Sequence, residues 1–444
     1  MMNRRNFIRE SSKATAALTL TNQNFTVFNR HGSPAKKLRV AVMGVNSRGE
    51  ALASNLVQFA DTEVAYICDV DRHVLDRVVA KISKLQNKTP QGEKDVRKVL
   101  EDKDLDALVI AAPDHWHAPA AILGMQAGKH VFVEKPCSHN PREGELLIQA
   151  VNKYKRVFQM GNQRRSWVNI NKLIGDLRGG VIGEVYMAKG WYANNRGPIG
   201  YGKTIPVPSH LDYELWQGPA PRKPYKDNLI HYNWHWFRHW GTGEALNNGT
   251  HEIDVMRWGL GVGLPTRVLA SGGRYHYNDD WEFPDTAVIN FEFEDKKLIT
   301  WEQRSCNNLP IEGDGRGVIF YGTGGSVVVG GGDGYTVFDD KNKVTKTVKP
   351  AQAASGSSTN TTSPDANLDG IHLANFLEAI RTGAKNNSPV EEAHSSVLCC
   401  QLGNIAWFTG RILNIHPTTG HIIGDKEAMH YWSRTYEPGW EPHV

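Results

Sequence analysis

Gly44-Val45-Asn46-Ser47-Arg48-Gly49 and Asp69 stand at a spacing that suits a pyrophosphate and a ribose. The glycine stretch follows an apolar run, Leu38 to Met43, and precedes a helical pattern through Ala51, Leu52, Leu56 and Val57. Strand, turn and helix in that order offer backbone N–H groups and a positive dipole end to an anion. Gly44 permits the tight turn, and Gly49 lets helix and strand approach closely. Asn46 replaces the middle glycine of the usual G-x-G-x-x-G, and asparagine tolerates positive φ better than most residues. Asp69 ends the next apolar run, Glu63 to Cys68, about 20 residues past Gly49, where a carboxylate accepts both ribose hydroxyls. A plain helix cap is the alternative use of Asp69. An acid there repels a 2′-phosphate and so favours NAD, while Arg72 close by keeps NADP open.

A second chemical signal lies further along. Trp191, Tyr192, Asn194, Asn195 and Arg196 precede the run from His231 to Trp240, which alternates histidine, tryptophan, tyrosine and arginine. Sugars present apolar C–H faces ringed by hydroxyls, and aromatic platforms flanked by hydrogen-bond donors complement them. A structural aromatic cluster is the competing reading. His231, His235 and His239 recur at four-residue steps, but no carboxylate or cysteine accompanies them at ligand spacing, so a sugar platform is expected and no metal.

These residues need elements to position them. Leu105 to Ala112 is a further buried strand, broken by Pro113-Asp114-His115-Trp116-His117; a helix from Pro119 to Ala127 and the strand Lys129 to Val133 follow. Such alternation defines a doubly wound parallel Rossmann sheet. Beyond Asn162 the period changes. Glu184–Ala188, Val268–Ala270, Thr286–Phe293, Leu298–Glu302, Val318–Tyr321 and Ser326–Val329 read as strands separated by Gly, Asn and Asp. They predict a C-terminal α+β domain with a large, mainly antiparallel sheet. Ala351 to Asn367 is low in complexity and reads as an exposed loop, with helices expected over Gly370–Thr382 and Ala393–Phe408. The expected division is 1–37 as a signal or tail, 38–161 as the Rossmann domain, and 162–444 as the substrate and oligomerisation domain.

At Glu134-Lys135-Pro136 the chain resembles the Gfo/Idh/MocA oxidoreductases. The resemblance extends through the glycine turn, Asp69, Ala112-Pro113-Asp114-His115-Trp116-His117, Gly128-Lys129-His130-Val131 and Gly161-Asn162-Gln163. It resumes at Gly249-Thr250-His251-Glu252-Ile253-Asp254 and at His372 with Asn375-Phe376, covering roughly Leu38 to Ala428. It implies NAD as cofactor, a carbohydrate substrate and a homo-oligomer formed through the sheet face turned away from the cofactor. It places Lys135 beside the nicotinamide and the reacting hydroxyl, and makes His251 the acid/base. Asn247 stands where the family more often has an aspartate; it can bond a sugar or orient His251 but cannot steady an imidazolium. Gly44, Asn46, Ser47, Arg48, Gly49, Asp69, Pro113, His115, His117, Glu134, Lys135 and Gln163 become the expected cofactor contacts. Trp191, Tyr192, Arg196, His235, Trp236, Asn247 and Asp254 become the expected substrate contacts.

Oxidising a secondary alcohol requires removal of the hydroxyl proton, a task for a histidine titrating near neutrality, and a lysine steadies the developing alkoxide. The expected activity is NAD-dependent oxidation or reduction of a ring hydroxyl on a sugar, glycoside or cyclitol. The alternative keeps the same residues in a redox-neutral glycoside hydrolase, which oxidises C3 transiently, eliminates across C2 and reduces the product again. A non-catalytic NAD sensor is disfavoured because Lys135 and His251 are both present.

The composition excludes other classes. Lys and Arg number 51 against 47 Asp and Glu in 444 residues, a balance too even for a nucleic-acid or membrane-surface binder. Five scattered cysteines indicate neither a disulfide framework nor a zinc ribbon, and no apolar run is long enough to span a membrane. Asn3-Arg4-Arg5-Asn6-Phe7-Ile8, followed by the mildly apolar Ala14 to Leu20, resembles a twin-arginine signal and points to the periplasm; an ordinary basic tail would leave the protein in the cytoplasm.

Overall fold

The computed structural model describes residues 36–351 and 366–444; the Arg4-Arg5 motif and nearly all of the low-complexity stretch lie outside them. Six short apolar strands form the first sheet: β1 (Leu38–Met43), β2 (Thr62–Cys68), β3 (Gln91–Glu93), β4 (Ala107–Ile110), β5 (His130–Val133) and β6 (Phe158–Met160). Their order is β3-β2-β1-β4-β5-β6, and every pair is parallel. The order reverses between β1 and β4, so the crevice for a ligand opens outside the C-terminal ends of the strands. Gly44 follows β1, Asp69 follows β2, Pro113 lies three residues past β4, and Glu134 follows β5. Four stretches remote in sequence therefore meet at one edge.

The second sheet has nine strands: β7 (Val185–Ala193), β8 (Arg267–Gly273), β9 (Thr286–Glu292), β10 (Leu298–Arg304), β11 (Arg316–Gly322), β12 (Gly325–Val329), β13 (Tyr335–Asp339), β14 (Val344–Val348) and β15 (Leu413–Asn414). The order is β14-β13-β12-β11-β7-β10-β9-β8-β15, antiparallel throughout except where β7 meets β10. Along β10, Ile299, Trp301 and Gln303 are buried while the residues between them are half-buried, so one face of the sheet is covered. The helices Gly249–Leu260 and Val390–Thr409 supply that cover. The first comes close because Gly249 has no side chain: a Cβ there would stand 2.9 Å from the Trp301 ring.

The division at residue 162 understates how the halves interlock. The helix Ala366–Thr382 packs on the helix Arg48–Leu56, and Leu373, Phe376 and Leu377 complete the apolar cluster of Val40, Val42, Leu52 and Phe132. The loop after β7 returns as a strap across the first sheet. Asp71 and Leu211 form a β-bridge, Asp212 N donates to Val70 O (2.9 Å), and Arg72 N donates to His210 O (2.9 Å). Leu211, Tyr213, Trp216, Trp234 and Trp240 form the strap's own apolar cluster, with Val70 packed against it.

The helix expected from Pro119 begins instead at Asp114, with Pro113 at its N-cap. Pro113 holds an extended ψ of 154° just outside the helix, where the N–H that proline lacks is not needed. His115, Trp116 and His117 thereby fall on the first turn.

Gly49→Ala tests the strand–helix approach. Helix propensity alone favours alanine by about 1 kcal/mol, but its Cβ would lie 2.1 Å from the Gly44 carbonyl oxygen. The collision should dominate and lower stability by about 1–3 kcal/mol, seen as a lower melting temperature; a raised one would show that the turn yields.

Candidate active site

One cleft runs along the edge where β1, β2, β4 and β5 end, walled on its far side by the strap and by the helix carrying His251. Gly44 adopts φ +79°, and a Cβ there would lie 2.5 Å from Ala112 N, so only glycine fits. Val45 N donates to Asp69 Oδ2 (2.7 Å) and Asp71 N to Oδ1 (2.9 Å), which locks the turn to the end of β2. Asn46 and Ser47 are exposed at the start of the helix Arg48–Leu56, and Ser47 places no side-chain hydrogen bond on its first turn. Those N–H groups are left without a side-chain cap where Asn46, Ser47 and Arg48 line the cleft, and a phosphate would be held there.

Arg48 turns away from the turn. It donates to Glu134 Oε1 (2.7 Å) and bidentately to Asp369 (2.5 and 3.1 Å), tying the glycine turn to the C-terminal helix. Burial works against its charge, but the two carboxylates outweigh burial and raise its pKa. Glu134 is buried and braces β5 through that contact.

Lys135 Nζ donates to the main-chain oxygen of Asn247 and, at 3.0 Å, to Asn247 Oδ1. Burial pushes the lysine pKa down, with Glu134 and Asp114 pulling against it. Asn247 ends a short helix, Gly243–Asn247, and His251 lies on the first turn of the next. Lys135, Asn247 and His251 line the same cavity. Burial drives the His251 pKa well below the ordinary imidazole value, and the cations Arg316, Lys135, Arg164 and Arg48 push it further. The ring is a neutral base at physiological pH.

Pro113, His117 and Gln163 also line the cavity. The His117 nitrogens lie 2.6 Å from Pro136 O and 2.6 Å from Ala112 O. Gln163 Oε1 is buried with no hydrogen-bond partner. An orphaned acceptor facing a cleft with a glycine-lined anion mouth fits a dinucleotide whose far end carries a carboxamide. The turn residues 44–49, Asp69 and Gln163 are the groups that would hold NAD.

Several expected contacts lie elsewhere. His115 sits two residues from His117, about 200° around the helix, so its ring faces the strap. Its Nε2 lies 2.9 Å from Trp216 O, and burial drives its pKa down to about 3. Trp191 is buried in the sheet, donating to Asp314 O (2.8 Å). Trp236 stacks on Trp281 with centroids 3.9 Å apart. Arg196 donates to Glu244 (2.8 Å), to the Tyr232 hydroxyl (2.8 Å) and to the Tyr192 hydroxyl (3.2 Å), so Arg196 and Tyr192 brace the wall from behind. Asp254 is buried in an ion pair with Arg165 (2.8 Å) and does not reach the cleft.

Of the expected substrate residues, Asn247 and His235 line the cavity. The His235 ring stacks on Trp234 at 3.6 Å, and burial lowers its pKa to about 3. His231 and Tyr232, from the run read in the sequence as a sugar platform, line it as well, and so do Trp216 and Leu211, which were not singled out from sequence. The docking of the strap onto Val70–Arg72 brings most of them there. His231, His235 and His239 do not converge. The chain makes a single tight turn over Asn233–Trp236, so four-residue spacing does not set them on one face. His235 Nδ1 meets Tyr232 O (2.6 Å), and His239 Nε2 meets Pro221 O (2.7 Å).

Comparison with known proteins agrees with this architecture. The Gfo/Idh/MocA model for the NAD-binding Rossmann fold of an oxidoreductase family matches residues 38–162, and the model for that family's C-terminal alpha/beta domain matches residues 202–413. A "Glycosyl hydrolase family 109 protein" of Shewanella baltica (strain OS185) is 28% identical over 215 residues, 43% of this chain and 46% of the relative. An "Alpha-N-acetylgalactosaminidase" of Tannerella forsythia is 24% identical over 239 residues, 49% of this chain and 50% of the relative. The chain thus spans about half the length of the curated relatives it matches. The fold is shared with levoglucosan dehydrogenase in complex with NADH and levoglucosan (TM-score 0.64, 18% identity, 85% of this chain and 99% of that one). It is shared equally with the WlbA dehydrogenase of Bordetella pertussis in complex with NADH and UDP-GlcNAcA (TM-score 0.64, 17% identity, 86% and 99%). Matched in order over both of its sheets, this chain belongs to the Gfo/Idh/MocA family of NAD-binding oxidoreductases.

Proposed function

We propose that the protein holds NAD in this cleft and oxidises a ring hydroxyl of a sugar, glycoside or cyclitol. The observation that carries the reading is the meeting of Lys135, Asn247 and His251 in one cavity. When bound, NAD supplies the two-electron oxidant for the carbinol carbon. His251, kept neutral by burial and its cationic neighbours, takes the hydroxyl proton. Lys135 steadies the alkoxide charge that develops, and Asn247 fixes the ammonium without adding a negative charge. Tyr232 and His235 offer the sugar an aromatic wall with polar edges. Asp69 at the ribose position supports NAD over NADP.

A second reading draws on the glycosidase names of the curated relatives. Transient oxidation at C3 acidifies the C2–H, elimination then expels the aglycone from C1, water adds back across C1–C2, and return of the hydride to C3 restores the sugar. The strap across the cleft favours a cofactor that stays bound between turnovers. The Arg4-Arg5 stretch supports export to the periplasm, where free NAD is scarce. The half-buried face of the nine-stranded sheet supports assembly of a homo-oligomer through it.

Denaturing the purified protein and counting the released nucleotide, alongside incubation with a panel of glycosides, tests both readings. Accumulating NADH with an oxidised sugar supports the dehydrogenase. Stoichiometric retained NAD(H) with sugar release and no net NADH supports the redox-neutral hydrolase. The absence of both bound nucleotide and turnover would overturn the proposal. The pH profile follows from the shifts at the two groups. Protonating His251 removes the base, and its lowered pKa places the acid limb of kcat/KM below the ordinary histidine value of about 6.5. Deprotonating Lys135 removes the charge, and its lowered pKa places the alkaline limb below the ordinary lysine value of about 10.4. An acid limb at or above about 6.5 would remove His251 from the role.

A further inference from the structure

A second cluster of donors lies at the ribose end of the cleft, on the outer side of the strap. Asp71 caps the helix Arg72–Gln86, its Oδ1 accepting from His73 N (2.9 Å) and Val74 N (3.3 Å). Its other oxygen, Oδ2, has no role in the cap, although the residue is only 2% exposed. Two imidazoles of the strap approach that oxygen: His210 Nε2 at 3.6 Å and His231 Nε2 at 3.1 Å. Both are ion-pair contacts that carry charge only when the histidine is protonated, so the three atoms stand together around one carboxylate oxygen. His73, the second residue of the capped helix, stacks on His210 with centroids 4.2 Å apart and planes 14° from parallel, and one ring has to turn out of this stack for both to direct a nitrogen at the same ion. Asp71, His73 and His210 each offer one donor atom, and all three atoms lie within 4.8 Å of one another.

Zinc bonds to imidazole nitrogen and carboxylate oxygen are about 2.0–2.2 Å, so two ligand atoms in a tetrahedral site stand roughly 3.4 Å apart. The Asp71–His210 separation of 3.6 Å is already that of two ligands sharing one ion. Two imidazoles with one carboxylate suit a borderline transition metal, whereas calcium and magnesium take nearly all-oxygen shells. Two of the donors belong to the first sheet's edge and one to the strap.

We propose that Asp71, His73 and His210 form a binding site for a divalent transition metal, zinc by its donor set, which fastens the strap to the Rossmann edge beside Asp69. His231 stands on the cleft side of the same carboxylate, where its imidazole faces the site's negative charge. The role is structural, distinct from proton transfer at Lys135 and His251, and holds whichever of the two reactions the enzyme performs.

The test uses the full chain purified without a histidine tag, stripped by a chelator and titrated with Co2+ and then Zn2+. One equivalent of Co2+ should give the visible absorption of a low-coordinate site, and one equivalent of Zn2+ should displace it. Zn2+ should also raise the melting temperature, by an amount that grows with the logarithm of its concentration over Kd. His73→Ala and His210→Ala should each weaken Co2+ binding by at least about tenfold. Both side chains are partly solvent-exposed, so these changes leave the core and the Asp71 cap intact. A cooperatively folded protein that takes up no Co2+, or one whose uptake survives the His73→Ala/His210→Ala double change, would overturn the proposal and leave an ion-pair cluster in its place.

Discussion

The site depends first on the buried charges that fix the helix Gly249–Leu260. Glu252 accepts from Arg316 on β11 (2.9 and 2.5 Å). Asp254 accepts two bonds from Arg165 Nε and one from Nη2, and further bonds from Asn162 (2.8 Å) and Ser396 (2.7 Å). Arg257 donates to Ser396 (2.7 Å) and to Gly263 O (3.0 Å). Removing one partner from a buried ion pair costs about 3–5 kcal/mol, because the other charge is left unsolvated. Rotating or sliding this helix would strand several charges at once. Its angle is thereby set, and His251 on its first turn is held toward the cleft. The same pairs join the segment after β6, the nine-stranded sheet and the helix Val390–Thr409, so they also fix one half of the molecule against the other.

That framework explains an electrostatic asymmetry. Arg48 spends its charge on Glu134 and Asp369, and Arg316 on Glu252, yet both still press on His251 across a buried space. An aspartate at position 247 would counter them and favour the imidazolium. Asparagine keeps the hydrogen bond to Lys135 and leaves the cations unopposed. The departure from the commoner family pattern therefore favours a histidine that begins the reaction as a base.

Much of this was legible in the sequence, and the reason is local. A parallel strand buried on both faces is a continuous apolar run, and the glycine turn and Asp69 follow such runs directly. The antiparallel sheet showed itself through alternation and turn residues, though β13, β14 and β15 lay beyond the strands recognised. What the sequence withheld was direction. Trp191 and Trp236 look like sugar platforms by type, yet one is spent on Asp314 O and the other on Trp281. Asp254 resembles a substrate-binding acid until its pairing with Arg165, 89 residues away, is seen. His115 and His117 differ only by a half-turn of a helix that starts earlier than its prolines suggested. Trp216 and Tyr232 reach the cleft through a strap whose docking no local pattern encodes.

The central claim is that Lys135 and His251 act together on one hydroxyl proton, and a double-variant cycle tests it most directly. His251→Ala and Lys135→Ala should each lower kcat by about 10²–10⁴, the usual size of an acid–base contribution. NAD binding should be nearly unchanged in His251→Ala, and the double variant should lose much less than the product of the two single losses. Fully multiplicative losses, or a His251→Ala enzyme with normal kcat, would contradict the account.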